Sequence, residues 1–313
     1  MAPARRNLPQ ADRSDSPDPK RRRSTSLLKS VTSIDWVHPW TFMTTCLFPE
    51  ELVKNRLKQR LDAGDVVIGA QNRFGVPAIA ELFGKAGFDY VVLDTEHAPQ
   101  TPSGVQAQLQ GLASTDTTPI VRVPNNDPDL IRLYLDMGAG GVLVPFVNSA
   151  EEASRAAQAC RYPPRGTRGY GPARASGFGF DTDYFDQAND NVVCLVIIET
   201  AQAVANIDEI LAVPGIDSYI VGPFDLSISL GIPREFEHPR FQEAVATVLA
   251  AARKAGKPPG TDVDAIPCTA ETFDGPIQKG YKLLMVDGDE WMLHAACKNV
   301  VRCCDQSKGS LKS

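Results

Sequence analysis

No run of about 18 apolar residues occurs in the chain, so it offers no membrane-spanning helix. Nor does a basic stretch lead into an apolar core at its start, so no secretory leader is expected. Cysteine occurs seven times, at positions 46, 160, 194, 268, 297, 303 and 304, without CxxC spacing or a disulfide-like framework. Cys194 falls inside an apolar run, where a thiol behaves as a small hydrophobe. These absences predict a soluble, cytoplasmic protein in a reducing compartment, with no membrane partner. No GxGxxG follows any strand-like run, which argues against a dinucleotide-binding sheet. No lysine falls within such a run either. Schiff-base chemistry needs a desolvated lysine inside the fold, so it is not expected here.

What is present can bury a full core: 313 residues, 43% of them hydrophobic. The net charge of −6 is unevenly spread, with residues 1–35 at +4 and the remainder at −10. An acidic body argues against a nucleic-acid partner, because phosphate contacts need clustered cations. Residues 1–34 are rich in Pro, Ser, Asp and Arg and lack hydrophobic periodicity. They are read as part of a disordered basic tail over residues 1–45, ahead of a folded domain over 46–313. Within the tail, Lys20-Arg21-Arg22-Arg23 is either a nuclear-import signal or an incidental solvated run. Asp12, Asp15 and Asp18 interrupt the positive character a mitochondrial presequence needs.

From Glu50 the chain alternates strand-like and helix-like blocks. The strand-like runs are Val66–Ala70, Tyr90–Asp94, Pro119–Val123, Gly141–Phe146, Val192–Ile198, Ser218–Val221, Pro259–Val263 and Leu283–Val286. Helical stretches between them include Pro77–Ala86, Asp127–Met137, Ala150–Cys160, Ala201–Ala212 and Arg240–Ala255. Glycines follow several helical stretches as C-terminal caps, and Asp127-Pro128 and Ser149-Ala-Glu-Glu152 read as helix starts. Strands that are apolar throughout belong to a parallel sheet covered on its outer side. Eight βα units in about 260 residues predict a (β/α)8 TIM barrel, with a doubly wound open sheet as the alternative. The Gly-rich, cationic segment Tyr162–Asn191 breaks the rhythm, and it should start on the face opposite the strand tips.

In such a barrel the chemistry sits at the C-terminal ends of the strands. Those ends carry Gln71 and Arg73, Asp94-Thr-Glu-His97, Arg122, Glu199, Asp225, Asp262 and Asp287. Glu199 and Asp225 each close a buried apolar run, with one helix between the runs. Two parallel neighbouring strands would therefore bring both carboxylates to one side. A carboxylate there is costly to desolvate unless a cation accepts it, so the pair suggests a divalent-metal site, Mg²⁺ or Mn²⁺ from its oxygen ligands. Singly, each residue has a plainer reading. His97 can be a structural histidine, Arg122 the partner of Asp94 or Glu96, and Glu199 and Asp225 helix caps.

Four motifs, in order and at matching spacing, resemble the HpcH/HpaI aldolase family: Gly87-Phe-Asp-Tyr-Val-Val-Leu-Asp-Thr-Glu-His-Ala-Pro99, Val121-Arg-Val-Pro124 with Asn126-Asp-Pro128, Arg161-Tyr-Pro-Pro-Arg-Gly-Thr-Arg-Gly169, and Gly222-Pro-Phe-Asp-Leu-Ser227. The likeness runs from about Gly69 to Trp291. It implies a metal-dependent lyase that makes or breaks a carbon–carbon bond through a pyruvate-like enolate, acting on a small 2-oxo acid and an aldehyde. It also implies Glu199 and Asp225 as metal ligands, His97 as base and Arg122 as the oxo-acid anchor. Asp136 would raise the basicity of the histidine, and the assembly would be a homo-oligomer, often a hexamer. One position departs from the pattern: Ile197 stands where family aldolases carry a substrate-contacting glutamine. Phe224 replaces a residue that is often small. Both place the substrate-binding surface, which includes Asp225, in a less polar setting. Two other functions stay open: an oxaloacetate decarboxylase resembling macrophomate synthase, and a non-catalytic barrel used for binding.

Overall fold

The computed structural model describes residues 55–310, so the predicted basic tail over residues 1–45 lies outside the described residues. Eight strands alternate with helices: β1 Val67–Asn72, β2 Tyr90–Asp94, β3 Thr118–Arg122, β4 Gly141–Val144, β5 Val193–Ile198, β6 Ser218–Val221, β7 Gly260–Val263 and β8 Leu283–Gly288. Each lies within two residues of its predicted bounds. All are parallel, in the order β6-β5-β4-β3-β2-β1-β8-β7. This is the expected (β/α)8 barrel, closed at every junction by a ladder except between β6 and β7. At that seam a Cβ on Gly260 would stand 1.8 Å from the carbonyl oxygen of Tyr219, so only glycine lets the two backbones meet.

The helices are α1 Arg56–Asp62, α2 Pro77–Ala86, α3 Pro102–Leu112, α4 Pro128–Asp136, α5 Ala150–Ala159, α6 Tyr184–Ala188, α7 Ala201–Ala205, α8 Ile207–Ala212, α9 Pro223–Ser229, α10 Pro239–Ala255, α11 Glu271–Gln278 and α12 Asp289–Ser310. Asp127 caps α4 by accepting from Asp129 and Leu130, and Ser149 caps α5 by accepting from Glu152. Gly87 ends α2 at φ +95°, a conformation costly for other residues. The single helix expected over Ala201–Ala212 is two. Asn206 interrupts it, and its side-chain amide donates to the Asn148 carbonyl at 2.8 Å, tying the break to the loop after β4.

The strands sort their side chains by parity. Val193, Leu195 and Ile197 of β5 join Tyr90, Val92, Ile120, Leu143, Ile220, Leu283 and Met285 in the barrel interior. Cys194, Val196 and Ile198 pack outward under the helices, with Val91, Leu93, Val121 and Val142. Leu57 and Leu61 of α1 close the lower end of the interior. Segment 162–191 packs at that same lower end. Arg174 donates there to the carbonyls of Met137 and Leu109 at 2.9 and 3.2 Å.

Candidate active site

Interior parity, continued to the strand tips, decides which polar side chains meet. Tyr90 and Val92 lead to Asp94, Ile120 to Arg122, Leu195 and Ile197 to Glu199, and Leu283 and Met285 to Asp287. A cavity of about 480 Å³ opens where they converge. It is lined by His97, Arg122, Ile197, Glu199, Phe224 and Asp225, together with Gln71, Arg73, Asp262, Asp287 and Trp291. Ten of the residues singled out from the sequence, all of these but Trp291, thus share one pocket.

Asp136 does not line it. At the last turn of α4 its carboxylate accepts from Arg168 Nη2 at 2.5 Å, and Arg168 belongs to the lower-end segment. Within one protomer it is therefore the partner of Arg168, not of His97. Helices run antiparallel to the strands they follow, so the end of α4 lies away from the strand tips.

Arg122 is gripped by Asp94. Its Nε donates to Asp94 Oδ1 at 2.8 Å, its Nη2 meets Oδ2, and Glu96 lies 3.4 Å from its Nε. Asp94 is wholly buried and also accepts from the backbone N–H groups of Glu96 and His97 at 3.0 and 3.2 Å. Burial alone would raise its pKa, but Arg122 and those two N–H groups outweigh it and hold the carboxyl below its usual range. Arg73 adds a second guanidinium, 3.4 Å from Asp94 and paired with Glu290. His97 is half exposed at the mouth, with Nε2 3.6 Å from Glu96.

Glu199 is buried, and its Oε1 accepts from the Phe146 N–H at 2.7 Å. Phe146 holds that N–H in place at φ +52°, a strained setting for a bulky residue. Burial pushes the Glu199 carboxyl up to about 7, and Glu96 and Asp225 push the same way. Two neighbouring oxygen donors with excess negative charge fit a hard divalent cation. Among the described residues no group of three or more His, Cys, Asp or Glu is arranged to hold a metal ion.

Asp262 carries a separate electrostatic load. Burial, reinforced by Asp287, pushes its carboxyl from 3.8 to about 7, against the Val263 N–H and Arg122; Asp264 adds to the rise. The unfolded chain sheds this proton near pH 4, whereas the fold keeps it until near pH 7. The native state thus binds more protons in that window, and the contribution of Asp262 falls as pH rises through it. Asp262→Asn should match the wild-type Tm near pH 4 and exceed it at pH 8. A Tm difference independent of pH would refute this.

Asp94, Arg73, Asp262 and Asp287 were visible as strand tips, but their grouping needed the pairing pattern. The Phe146 N–H left no trace in the sequence, because it is a backbone group. The position of Trp291 depends on how α12 packs.

The all-parallel barrel thus carries an arginine, a histidine and two neighbouring carboxylates at its strand tips. Residues 75–273 match the HpcH/HpaI aldolase/citrate lyase family. A 5-keto-4-deoxy-D-glucarate aldolase of Salmonella paratyphi A is 42% identical over 219 residues, covering 70% of this chain and 84% of that one. An HpcH/HpaI aldolase/citrate lyase family protein from Burkholderia cenocepacia J2315 superposes with a TM-score of 0.74 at 34% identity, covering 80% of this chain and 99% of that one. Macrophomate synthase superposes with a TM-score of 0.75 at 24% identity, covering 83% and 93%, and shares the fold. The chain belongs to the HpcH/HpaI aldolase/citrate lyase family. It is a carbon–carbon lyase of the aldolase type. No helix among the described residues is long and apolar enough to cross a membrane.

Proposed function

We propose that the chain cleaves and forms 4-hydroxy-2-oxo acids, with pyruvate and an aldehyde as the two halves, using Mg²⁺ or Mn²⁺ held by Glu199 and Asp225. The observation that carries this is a buried Glu199, its carboxyl pushed up to about 7, beside Asp225 and in one pocket with Arg122 and His97. A divalent ion held by Glu199 and Asp225 would supply Lewis-acid charge to the 2-oxo acid. Arg122, immobilised by Asp94, anchors the oxo-acid end and balances the negative charge that develops there. His97, free at the mouth, takes the proton of the 4-hydroxyl group directly or through water. The C3–C4 electron pair then passes into the enolate, the aldehyde departs, and a proton delivered to C3 gives pyruvate.

A homo-oligomer, a hexamer by family likeness, completes this proposal. Leu293, Val300 and Val301 of α12 are exposed, an apolar surface that suits burial against another copy. Assembly would also carry the Asp136–Arg168 end of one protomer to the site of the next, the setting in which Asp136 could act on a histidine. The cysteines at 160, 194, 268, 297, 303 and 304 are free thiols, in keeping with the cytoplasm. A second reading, oxaloacetate decarboxylation through the same enolate, draws on Ile197, whose apolar side chain lines the pocket just before Glu199.

The test is pyruvate release, coupled to lactate dehydrogenase, from a 4-hydroxy-2-oxo acid and from oxaloacetate, each with Mg²⁺ or EDTA. EDTA-sensitive release from the hydroxy-oxo acid is expected. Turnover of oxaloacetate alone, above the background from free metal, would favour the second reading. No release from either would remove the proposed chemistry.

A further inference from the structure

A second cavity of about 550 Å³ adjoins the candidate active site. Val221, Pro223, Phe224, Asp262, Asp287 and Trp291 line both, so the two form one bilobed space. The second lobe lies at the β6–β7 seam, where no ladder closes the barrel. Its walls are aromatic. Phe236 meets Phe224 edge-on at 5.4 Å and an interplanar angle of 90°, and Phe241 lies behind it at 5.4 Å. Across from them Trp291 stands edge-on to His294 at 6.0 Å.

Charge divides the space. Arg73 and Arg122 both line the first lobe. Among the described residues no Arg or Lys lines the second, whose charged groups are Asp262, Asp264 and Asp287, with His294 beside them. A carboxylate entering it would meet like charge, whereas a hydroxyl group would find acceptors in Asp264 and His294. A flat ring would gain edge and face contacts from the walls.

Resting on the aldolase function proposed above, the geometry points to the second lobe as the subsite for the aldehyde half of the substrate, and to a neutral aromatic aldehyde bearing a ring hydroxyl as its class. The oxo-acid half lies in the arginine lobe, the ring lies between Phe224, Phe236 and Trp291, and the hydroxyl meets Asp264, which lines the second lobe alone. The selectivity is by charge as much as by shape. The named product of the Salmonella relative's gene acts on a glucarate, a diacid, and this lobe disfavours such a distal carboxylate.

Two readouts test this separately from turnover on pyruvate itself. First, 4-hydroxybenzyl alcohol has the ring and hydroxyl but no aldehyde, and its binding is followed by saturation-transfer NMR. It should bind the wild-type protein about tenfold more tightly than it binds Phe236→Ala, and than the wild type binds 4-(hydroxymethyl)benzoate. Second, addition of pyruvate to 4-hydroxybenzaldehyde should exceed addition to 4-carboxybenzaldehyde by about tenfold in kcat/KM. Phe236→Ala should erode that preference through KM, with a smaller effect on addition to acetaldehyde, which is too small to reach the lobe. Asp264→Lys, an exposed change that spares the fold, should narrow the gap by favouring the carboxylated ring. Equal affinity for both ring probes, or an equal effect of Phe236→Ala on every aldehyde, would overturn the subsite. Binding of the alcohol without addition to any aldehyde, acetaldehyde included, would instead sink the aldolase function and leave the lobe as a ring-binding site.

Discussion

Glu199→Gln should lower kcat/KM for pyruvate release by on the order of 10³-fold, about 4 kcal/mol of transition-state stabilisation. The substitution is chosen because it separates charge from scaffolding. Glutamine keeps an oxygen to accept from the Phe146 N–H, which lies 2.7 Å from Glu199 Oε1, so the strained backbone there keeps its partner. What is lost is one of the two anionic donors proposed for the metal. The variant should unfold in EDTA at no lower a denaturant concentration than the wild type, since a buried carboxylate opposed by Glu96 and Asp225 contributes little to folding without its cation. Addition of Mg²⁺ should then raise the Tm of the wild type and leave that of the variant unmoved. A ligand at 100 times its Kd stabilises the state it binds by about 2.7 kcal/mol, easily read as a shift in Tm. An equal metal-induced shift in both proteins would place the ion elsewhere.

The barrel and most of its site could be read from the sequence because both follow short-range rules. Apolar runs ending in Asp94, Arg122 or Glu199 disclose a strand, and β5 and β6 do lie side by side and parallel. The depth of each polar group then follows from counting alternate residues down the strand. The rest depends on long-range packing. That Asp136 faces Arg168 is decided by the course of a 30-residue segment that no periodicity describes. The break at Asn206 is decided by a carbonyl 58 residues away in the chain. The missing ladder between β6 and β7, and the aromatic lobe above it, come from the close backbone approach at Gly260 and from the packing of Phe236 and Trp291. Ile197 and Phe224 line the pocket wall, but the acidic neck of Asp262 and Asp287 emerges only when β7 and β8 are paired.

Asp94→Ala should cost about 3–5 kcal/mol of folding free energy, because it strips a fully buried counter-charge from an arginine that stays behind. Arg122 is only 12% exposed, and Asp94 supplies its two-pronged partner. Glu96, 3.4 Å away, would be left as the nearest carboxylate. Arg73 would lose one of its two carboxylate neighbours as well, keeping Glu290. The loss should also appear in function as a rise in KM for the oxo acid larger than the fall in kcat, since a freed guanidinium still attracts a carboxylate but no longer holds it at a fixed angle. Asp94→Asn, which can accept from one guanidinium nitrogen and from the Glu96 and His97 amides, should lie between the two. The decisive comparison is the double variant Asp94→Ala/Arg122→Ala. If the cost of Asp94→Ala comes from an orphaned cation, removing that cation should recover 1 kcal/mol or more of the lost stability, about the size of coupling that double-mutant cycles resolve. Activity, in contrast, should fall further, because Arg122 is the group proposed to meet substrate. Strict additivity in urea denaturation would mean that Asp94 supports the loop from Thr95 to His97 through its backbone hydrogen bonds and does little to orient Arg122.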